Sequence, residues 1–233
     1  MIAKVELLSV VHFHPRGSHL LKIGLTGGIA SGKSAVGEMF VRLGAHLIQS
    51  DAVAHRLMEP DQPVYDEVVR HFGSGILNED RTINRVRLAE AAFGASKGSE
   101  PADGETRVKE LNSIVHPAVI AYENDWMAGI AAREPHGIAV VEAALILEAK
   151  AAGRFDSLIV VTCRPEQRAE RYAQRHGLSL DAARAEVARR MAAQLPDEEK
   201  VKAADYVIDN SGTLEAMEQQ ARQIFTELRQ RAG

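Results

Sequence analysis

A single cysteine, Cys163, occurs in the 233 residues, so no internal disulfide can form and a reducing, cytoplasmic compartment is the simplest expectation. Apolar runs are short. The longest, Ile138 to Leu147, is interrupted by Glu142 and falls well below the roughly 20 residues a spanning helix needs, so no membrane partner is expected. Basic residues are not in excess: 28 Lys and Arg stand against 32 Asp and Glu, a formal net charge of -4. That balance supplies no field to draw nucleic acid or an anionic surface, and neither is expected as a partner. Any grip on an anion must come from locally placed donors. No internal repeat or long low-complexity tract is present, and the dipeptide Asn-Lys is absent. A GTPase switch would need an Asn-Lys-x-Asp base-reading motif, so the Asp-x-x-Gly match at Asp209–Gly212 is read as coincidence.

What the chain does contain is Gly27-Gly28-Ile29-Ala30-Ser31-Gly32-Lys33-Ser34, a glycine, four free positions, then Gly-Lys-Ser: the phosphate-loop pattern. Upstream, Leu21 to Thr26 reads as a buried strand. Downstream, Val36, Met39, Phe40 and Leu43 recur at helical spacing. Strand, glycine-rich turn and helix together are the context the motif requires. Glycines let successive N–H groups converge on an anion, and the first helical turn adds unpaired donors and its positive dipole end. In such a loop Lys33 reaches the β- and γ-phosphates of a nucleotide and the Ser34 hydroxyl ligates Mg²⁺.

Composition, 45% hydrophobic and 26% charged, is ordinary for a soluble globular protein, and the length suits one sizeable core, or a core with an inserted lobe. Strands are expected over Leu21–Thr26, Ala45–Gln49, Ile138–Glu142, Ser157–Thr162 and Tyr206–Asp209, separated by helical patterns, which argues for a parallel α/β sheet. Residues 1–19 read as an N-terminal extension or tag; His12, His14 and His19 lack acidic or cysteine partners, so no metal site is expected there. Residues 50 to 137 carry helical periodicity without a convincing strand, and so long a span reads as an inserted helical lobe. Within it, Pro60–Phe72 and Asn84–Phe93 read as helices, the second capped by Asn84, and Ala95–Gly104 as an exposed loop. Leu111–Pro117 then leads into a helix over Ala118–Ala132. Later helices are expected from Pro165 to about His176, over Asp181–Ala193, from Pro196 to Ala204, and from about Thr213. The last places Leu214, Met217, Ala221, Ile224, Phe225 and Leu228 on one face.

Asp51 follows the second strand, where ligands of open α/β sheets bind. It can orient or deprotonate a hydroxyl attacking a γ-phosphate, or cap the helix Ala52–Met58. Glu142 ends its strand as either a Mg²⁺-side carboxylate or a solvent-facing residue. Arg164, Arg168, Arg171 and Arg175 share a helical stripe, which either closes over a triphosphate or forms a solvated, ion-paired face. Asn210, after the fifth strand, either approaches adenine or belongs to a plain turn.

The blocks Lys22–Ser34, Leu47–His55, Leu111-Asn112 with His116-Pro117, and Ala204–Asn210 resemble the dephospho-coenzyme A kinase family. The resemblance covers the chain from about Leu21 to the C-terminal helix. It implies a P-loop NTPase fold, α/β in three α/β/α layers around a five-stranded parallel sheet. Residues 20–58 and 136–233 would form the nucleotide core, 59–135 a helical acceptor lobe and 164–195 a lid within the core. The implied reaction is phosphorylation of the 3′-hydroxyl of dephospho-CoA by ATP with Mg²⁺, the last step of coenzyme A biosynthesis. The rival reading is a P-loop kinase of another small hydroxylated metabolite or nucleoside. Implied roles are catalytic for Asp51, Lys33 and Arg171; nucleotide-binding for Ile29, Ala30, Ser31, Gly32, Lys33, Ser34, Arg175 and Asn210; acceptor-binding for Asp51, His55 and His116; and metal-binding for Ser34. Arg190 also lies near a basic position of the family. Gln49 stands where the family often carries a further aspartate, and Ala144 to Glu148 replace the usual Pro-Leu-Leu-x-Glu. A monomer or weak homo-oligomer is expected.

Overall fold

The computed structural model describes residues 19–93 and 101–233. Of the extension expected over residues 1–19, residues 1–18, with His12 and His14, lie outside the described residues, as do residues 95–100 of the expected loop. The chain divides into two compact units, Met1–Ile48 with Met127–Gly233, and Gln49–Trp126. The divisions fall inside a strand and inside a helix, whereas the sequence reading set the lobe at 59–135.

In the first unit, β1 (Leu21–Gly27), β2 (His46–Gln49), β3 (Ile138–Glu142), β4 (Ser157–Thr162) and β5 (Tyr206–Asp209) form one sheet in the order β2-β3-β1-β4-β5. β1 runs parallel to β3 with Leu21 opposite Ile138, and parallel to β4 with Ile23 opposite Ser157. β5 is parallel to β4, Tyr206 opposite Ile159. Strands covered on both faces read as continuous apolar runs, and all of β3 is buried. Alternation sorts the side chains. On one face Ile23, Leu25, Val140, Ile159 and Ile208 pack against α1 (Lys33–Arg42) and α9 (Leu214–Ala232); Leu158 and Val160 face the other way, onto Ile146, Phe155 and Ala204. Phe40 of α1 meets Phe225 of α9 at 6.0 Å between ring centres. The buried stripe of α9 begins at Met217. Leu214, expected on it, is 57% exposed, because a periodic stripe is covered only as far as the partner surface extends.

Between β4 and β5 lie α6 (Pro165–His176), α7 (Leu180–Ala192) and α8 (Asp197–Lys202). Pro165 opens α6, and Gly177, at φ 63°, closes it. Ser179 caps α7 by accepting from the Ala182 N–H at 3.3 Å. Tyr172, Ala183 and Val187 form a small core between α6 and α7, and Ile29 and Ala30 pack against it.

The second unit holds α2 (Ser50–Leu57), α3 (Pro63–Phe72), a 3-10 turn (Ser74–Ile76), α4 (Arg85–Phe93) and α5 (Pro101–Ala131) as far as Trp126. Val53, Val64, Tyr65, Val68, Ile76, Leu88, Val115 and Val119 are buried. Asn84 caps α4 through its side-chain oxygen, which accepts from Val86 and Arg87 N–H at 3.1 and 3.0 Å. Two expectations need correction. Residues 101–104, expected in a loop, are the start of α5, where Pro101 suits a first helical position. The helix also runs through Pro117 rather than starting after it. The missing N–H removes one hydrogen bond, and burial of Val115 and Val119 on either side outweighs it.

Candidate active site

The glycine-rich turn joins β1 to α1, and its shape follows from three backbone positions. Gly27 has φ 152°, Ala30 φ 54° and Gly32 φ 102°. Gly32 is the N-cap of α1 and contributes no side chain, so the first-turn N–H groups stay open to an external acceptor. A Cβ on Gly27 would strike the Val161 carbonyl, and one on Gly32 would strike the Asn210 amide nitrogen. Both glycines are therefore required by close approach as well as by φ. The Lys33 ammonium donates to the Gly27 and Gly28 carbonyls at 2.9 and 3.0 Å, which holds its charge over the loop.

Ser34 lies in the first turn of α1, and its hydroxyl donates to Glu142 Oε1 at 2.8 Å. Glu142 ends β3, next to β1, and is only 8% exposed. The solvent-facing reading of Glu142 is thereby overturned. A hydroxyl and a carboxylate side by side are hard oxygen donors of the kind Mg²⁺ takes, and Mg²⁺ commonly uses one or two protein oxygens together with substrate phosphates. The pair therefore fits the ion. Among the described residues no cluster of three or more His, Cys, Asp or Glu is gathered for a metal.

The far side of the loop is tied to β5 and α6. Asn210 follows β5 and is 7% exposed; its side-chain N–H donates to the Ser31 carbonyl at 2.8 Å. Arg171 donates to the Asn210 carbonyl at 3.0 Å, to Asn210 Oδ1 at 3.3 Å and to the Ser31 carbonyl at 3.5 Å. The plain-turn reading of Asn210 thus gives way to a brace on the loop. Ser31 itself is fully buried, while Ile29 and Ala30 sit against the α6–α7 core.

The arginine stripe does not behave as a stripe. Arg164 and Arg175 are exposed, Arg171 is half-buried on the loop, and Arg168 has no exposed surface at all. Arg168 pairs with Asp197 of α8. Periodicity cannot see this, because the helix packs into a crowded neighbourhood where one position of the stripe is enclosed. Arg190 bonds Glu186 at 2.6 Å and lies 5.5 Å from the Tyr172 ring centre. Burial pushes the Cys163 thiol above its ordinary value, and the sulfur lies 3.8 Å from the Ala30 carbonyl.

In the Gln49–Trp126 unit, Asp51 is exposed in the first turn of α2. The N-cap of α2 is Gln49, with no side-chain capping bond. Asp51 is therefore not the cap that position alone left open, and its carboxylate is presented to solvent. Beside it, Ser50 donates to Glu123 Oε1 at 2.5 Å, and Glu123 is 1% exposed. Sequence reasoning missed this buried link between α2 and α5, because a lone glutamate inside a helix carries no local signal that a distant serine meets it. His55, one turn after Asp51, has its pKa lowered by desolvation and by the Arg85 charge, against the opposing charge of Asp51. His116 is half-buried on α5 and is lowered by desolvation. Both rings are neutral near pH 7 and can act as hydrogen-bond partners.

Within the first unit, a phosphate loop, its lysine and a hydroxyl–carboxylate pair are parts of a nucleotide-dependent phosphoryl-transfer enzyme. Comparison with known proteins gives the same answer. The family model for dephospho-CoA kinase matches residues 21–216. A dephospho-CoA kinase of Corynebacterium glutamicum is 36% identical over 92% of this chain and 100% of its own length. One of Corynebacterium efficiens is 38% identical over 90% and 98%. Among solved structures, the protein TT1252 of Thermus thermophilus has a TM-score of 0.70 at 32% identity, covering 90% of this chain and 98% of that one. With a family match from β1 into the start of α9, and relatives 36–38% identical over 90–92% of its length, this chain belongs to the dephospho-CoA kinase family.

Proposed function

We propose that the chain transfers the γ-phosphoryl group of ATP to the ribose 3′-hydroxyl of dephospho-CoA, giving coenzyme A and ADP. The observation that carries the reading is the Ser34–Glu142 pair beside Lys33 at the mouth of the phosphate loop, in a chain of this family. Lys33 and the first-turn N–H groups of α1 hold the β- and γ-phosphates and offset the charge that builds on them during transfer. Ser34 and Glu142 would hold Mg²⁺, which when bound neutralises phosphate charge and fixes the triphosphate's orientation. Asp51 orients the attacking 3′-hydroxyl and accepts its proton. His55 and His116, neutral at working pH, hydrogen-bond the acceptor. Arg171 steadies the loop through Ser31 and Asn210 and adds positive charge beside it, and Arg175 supplies a further cation at the exposed end of α6. Residues 164–195 act as a lid that keeps water from competing for the phosphoryl group.

The test is ³¹P NMR of the product from ATP, Mg²⁺ and dephospho-CoA, run with a coupled assay for ADP across nucleosides and sugar acids. A new 3′-phosphomonoester resonance formed only with dephospho-CoA is expected. Faster ADP release with a nucleoside or sugar acid, and no phosphomonoester on dephospho-CoA, would overturn the assignment.

A further inference from the structure

Arg168 has 0% exposed surface, yet nothing in the chemistry above uses it. It sits in the first turn of α6, and its guanidinium makes contacts in two directions. Nη2 pairs with Asp197 at the start of α8, and Nη1 lies 3.4 Å from the Ile29 carbonyl. Nε has no hydrogen-bond partner. The three atoms nearest to where a Cβ on Gly28 would stand are all guanidinium atoms, and the Cβ would collide with Nη1. The φ of Gly28 is not in the left-handed region, so glycine is needed at 28 for room, not for backbone freedom.

A buried guanidinium is costly unless paired, and removing its partner leaves an uncompensated charge. Asp197 supplies that partner while remaining a third exposed itself. α8 is held in turn: Lys200, fully buried, pairs with Glu148 at 3.1 Å and bonds Gln194 at 3.1 Å. With both ends fixed, Arg168 has no free face to offer a phosphate. It is instead wedged between α8 and the backbone of Gly28 and Ile29, while Arg171, three residues on, grips the same loop at Ser31.

We infer that Arg168 is a positioning residue for the phosphate loop, acting through its contact with Gly28 and Ile29, and that Asp197 locks it there. The inference rests on the reading of this loop as the ATP site for its consequence on turnover, but not for its effect on loop rigidity. Arg168→Gln and Asp197→Asn each loosen the loop. The doubly substituted chain behaves like Arg168→Gln alone, because the two residues act as one unit. Gly28→Ala displaces the guanidinium, and adding Arg168→Ala restores the space.

The experiment combines amide hydrogen exchange of peptides covering Gly27–Ser34, ATP affinity by calorimetry, and KM and kcat with both substrates. Expected are loop exchange faster by about tenfold in Arg168→Gln and Asp197→Asn with α9 unchanged, and ATP KM raised roughly tenfold with acceptor KM unchanged. Gly28→Ala loses more ATP affinity than Arg168→Gln does, and Gly28→Ala/Arg168→Ala recovers to the level of Arg168→Gln, because the clash is relieved while the brace stays lost. Unchanged loop exchange in Asp197→Asn, additive single effects in the double variant, or no recovery on adding Arg168→Ala to Gly28→Ala would each overturn the inference. If Arg168→Gln does not fold, Asp197→Asn and the Gly28 pair decide. Failure of the unsubstituted protein to bind ATP would sink the proposed activity, while exchange rates would still report on the wedge.

Discussion

Glu142→Gln separates what the carboxylate does for the fold from what it does for catalysis. The amide keeps the shape and still accepts from the Ser34 hydroxyl, now 2.8 Å from a carboxylate oxygen. A hydrogen bond to a charged group contributes about 1.5–3 kcal/mol and a neutral one about 0.5–1.5, so the change costs about 1 kcal/mol. Against this, Glu142 is 8% exposed, and burying a neutral amide costs less than burying a carboxylate. The two effects are similar in size and opposite in sign, so thermal stability without nucleotide should change little. Turnover should not escape. Removing one charged group that orients a transition-state contact commonly costs about 100-fold, near 2.7 kcal/mol, in kcat/KM. The assay is steady-state ADP release across a magnesium titration, paired with thermal melts of both proteins. The expected result is a near-native melting temperature, about a 100-fold lower kcat/KM and a rightward shift of the magnesium curve. A kcat/KM within threefold of the unsubstituted protein at unchanged magnesium dependence would refute the reasoning.

Asp51→Asn should lower kcat by roughly two to four orders of magnitude while ATP KM stays near its starting value; a variant with near-native kcat sinks the role given to Asp51. Asn210→Ala removes the donor to Ser31 and one acceptor from Arg171, which should cost about 2 kcal/mol of stability. Asn210→Asp should be worse, since it sets an acceptor against the Ser31 carbonyl; a loss of ATP-over-GTP preference with no change in melting temperature would instead mark a base contact. His55 and His116 both lie below the ordinary histidine value of 6.5 in the folded chain. Between that depressed value and 6.5 the unfolded chain binds more protons, so the stability they contribute is complete above 6.5 and lost as pH falls through the window beneath it. The drop in melting temperature between pH 7.5 and 5.5 should be smaller in His55→Asn/His116→Asn, and an equal drop would place its origin elsewhere.

Several features were legible because their causes are local. Gly32 and Gly27 need backbone conformations that glycine reaches easily, Pro165 opens its helix through its fixed φ, and Asn84 and Thr213 mark helix starts by accepting from N–H groups two or three residues away. β-Strands enclosed on both faces announce themselves as apolar runs, so all of Ile138–Glu142 and Ser157–Thr162 could be placed from composition. Pro117 shows the limit of local rules: a residue that breaks helices in isolation sits inside one here, because the surrounding helix is held by buried neighbours.

By itself, then, the amino-acid order determined the phosphate loop, the strand and helix alternation and the candidate residues Lys33, Ser34 and Asp51, all set by interactions spanning a few residues. Only the tertiary structure decided that Glu142 meets Ser34, that Asn210 and Arg171 brace Ser31, and that Arg168 is enclosed with Asp197. The physical reason is the strand order β2-β3-β1-β4-β5. It sets the ends of β3 and β4 on either side of β1, with β5 beyond β4, so partners separated by 108 and 179 residues in the chain become neighbours. Helical or strand periodicity reports which face a side chain occupies, but not what waits on that face.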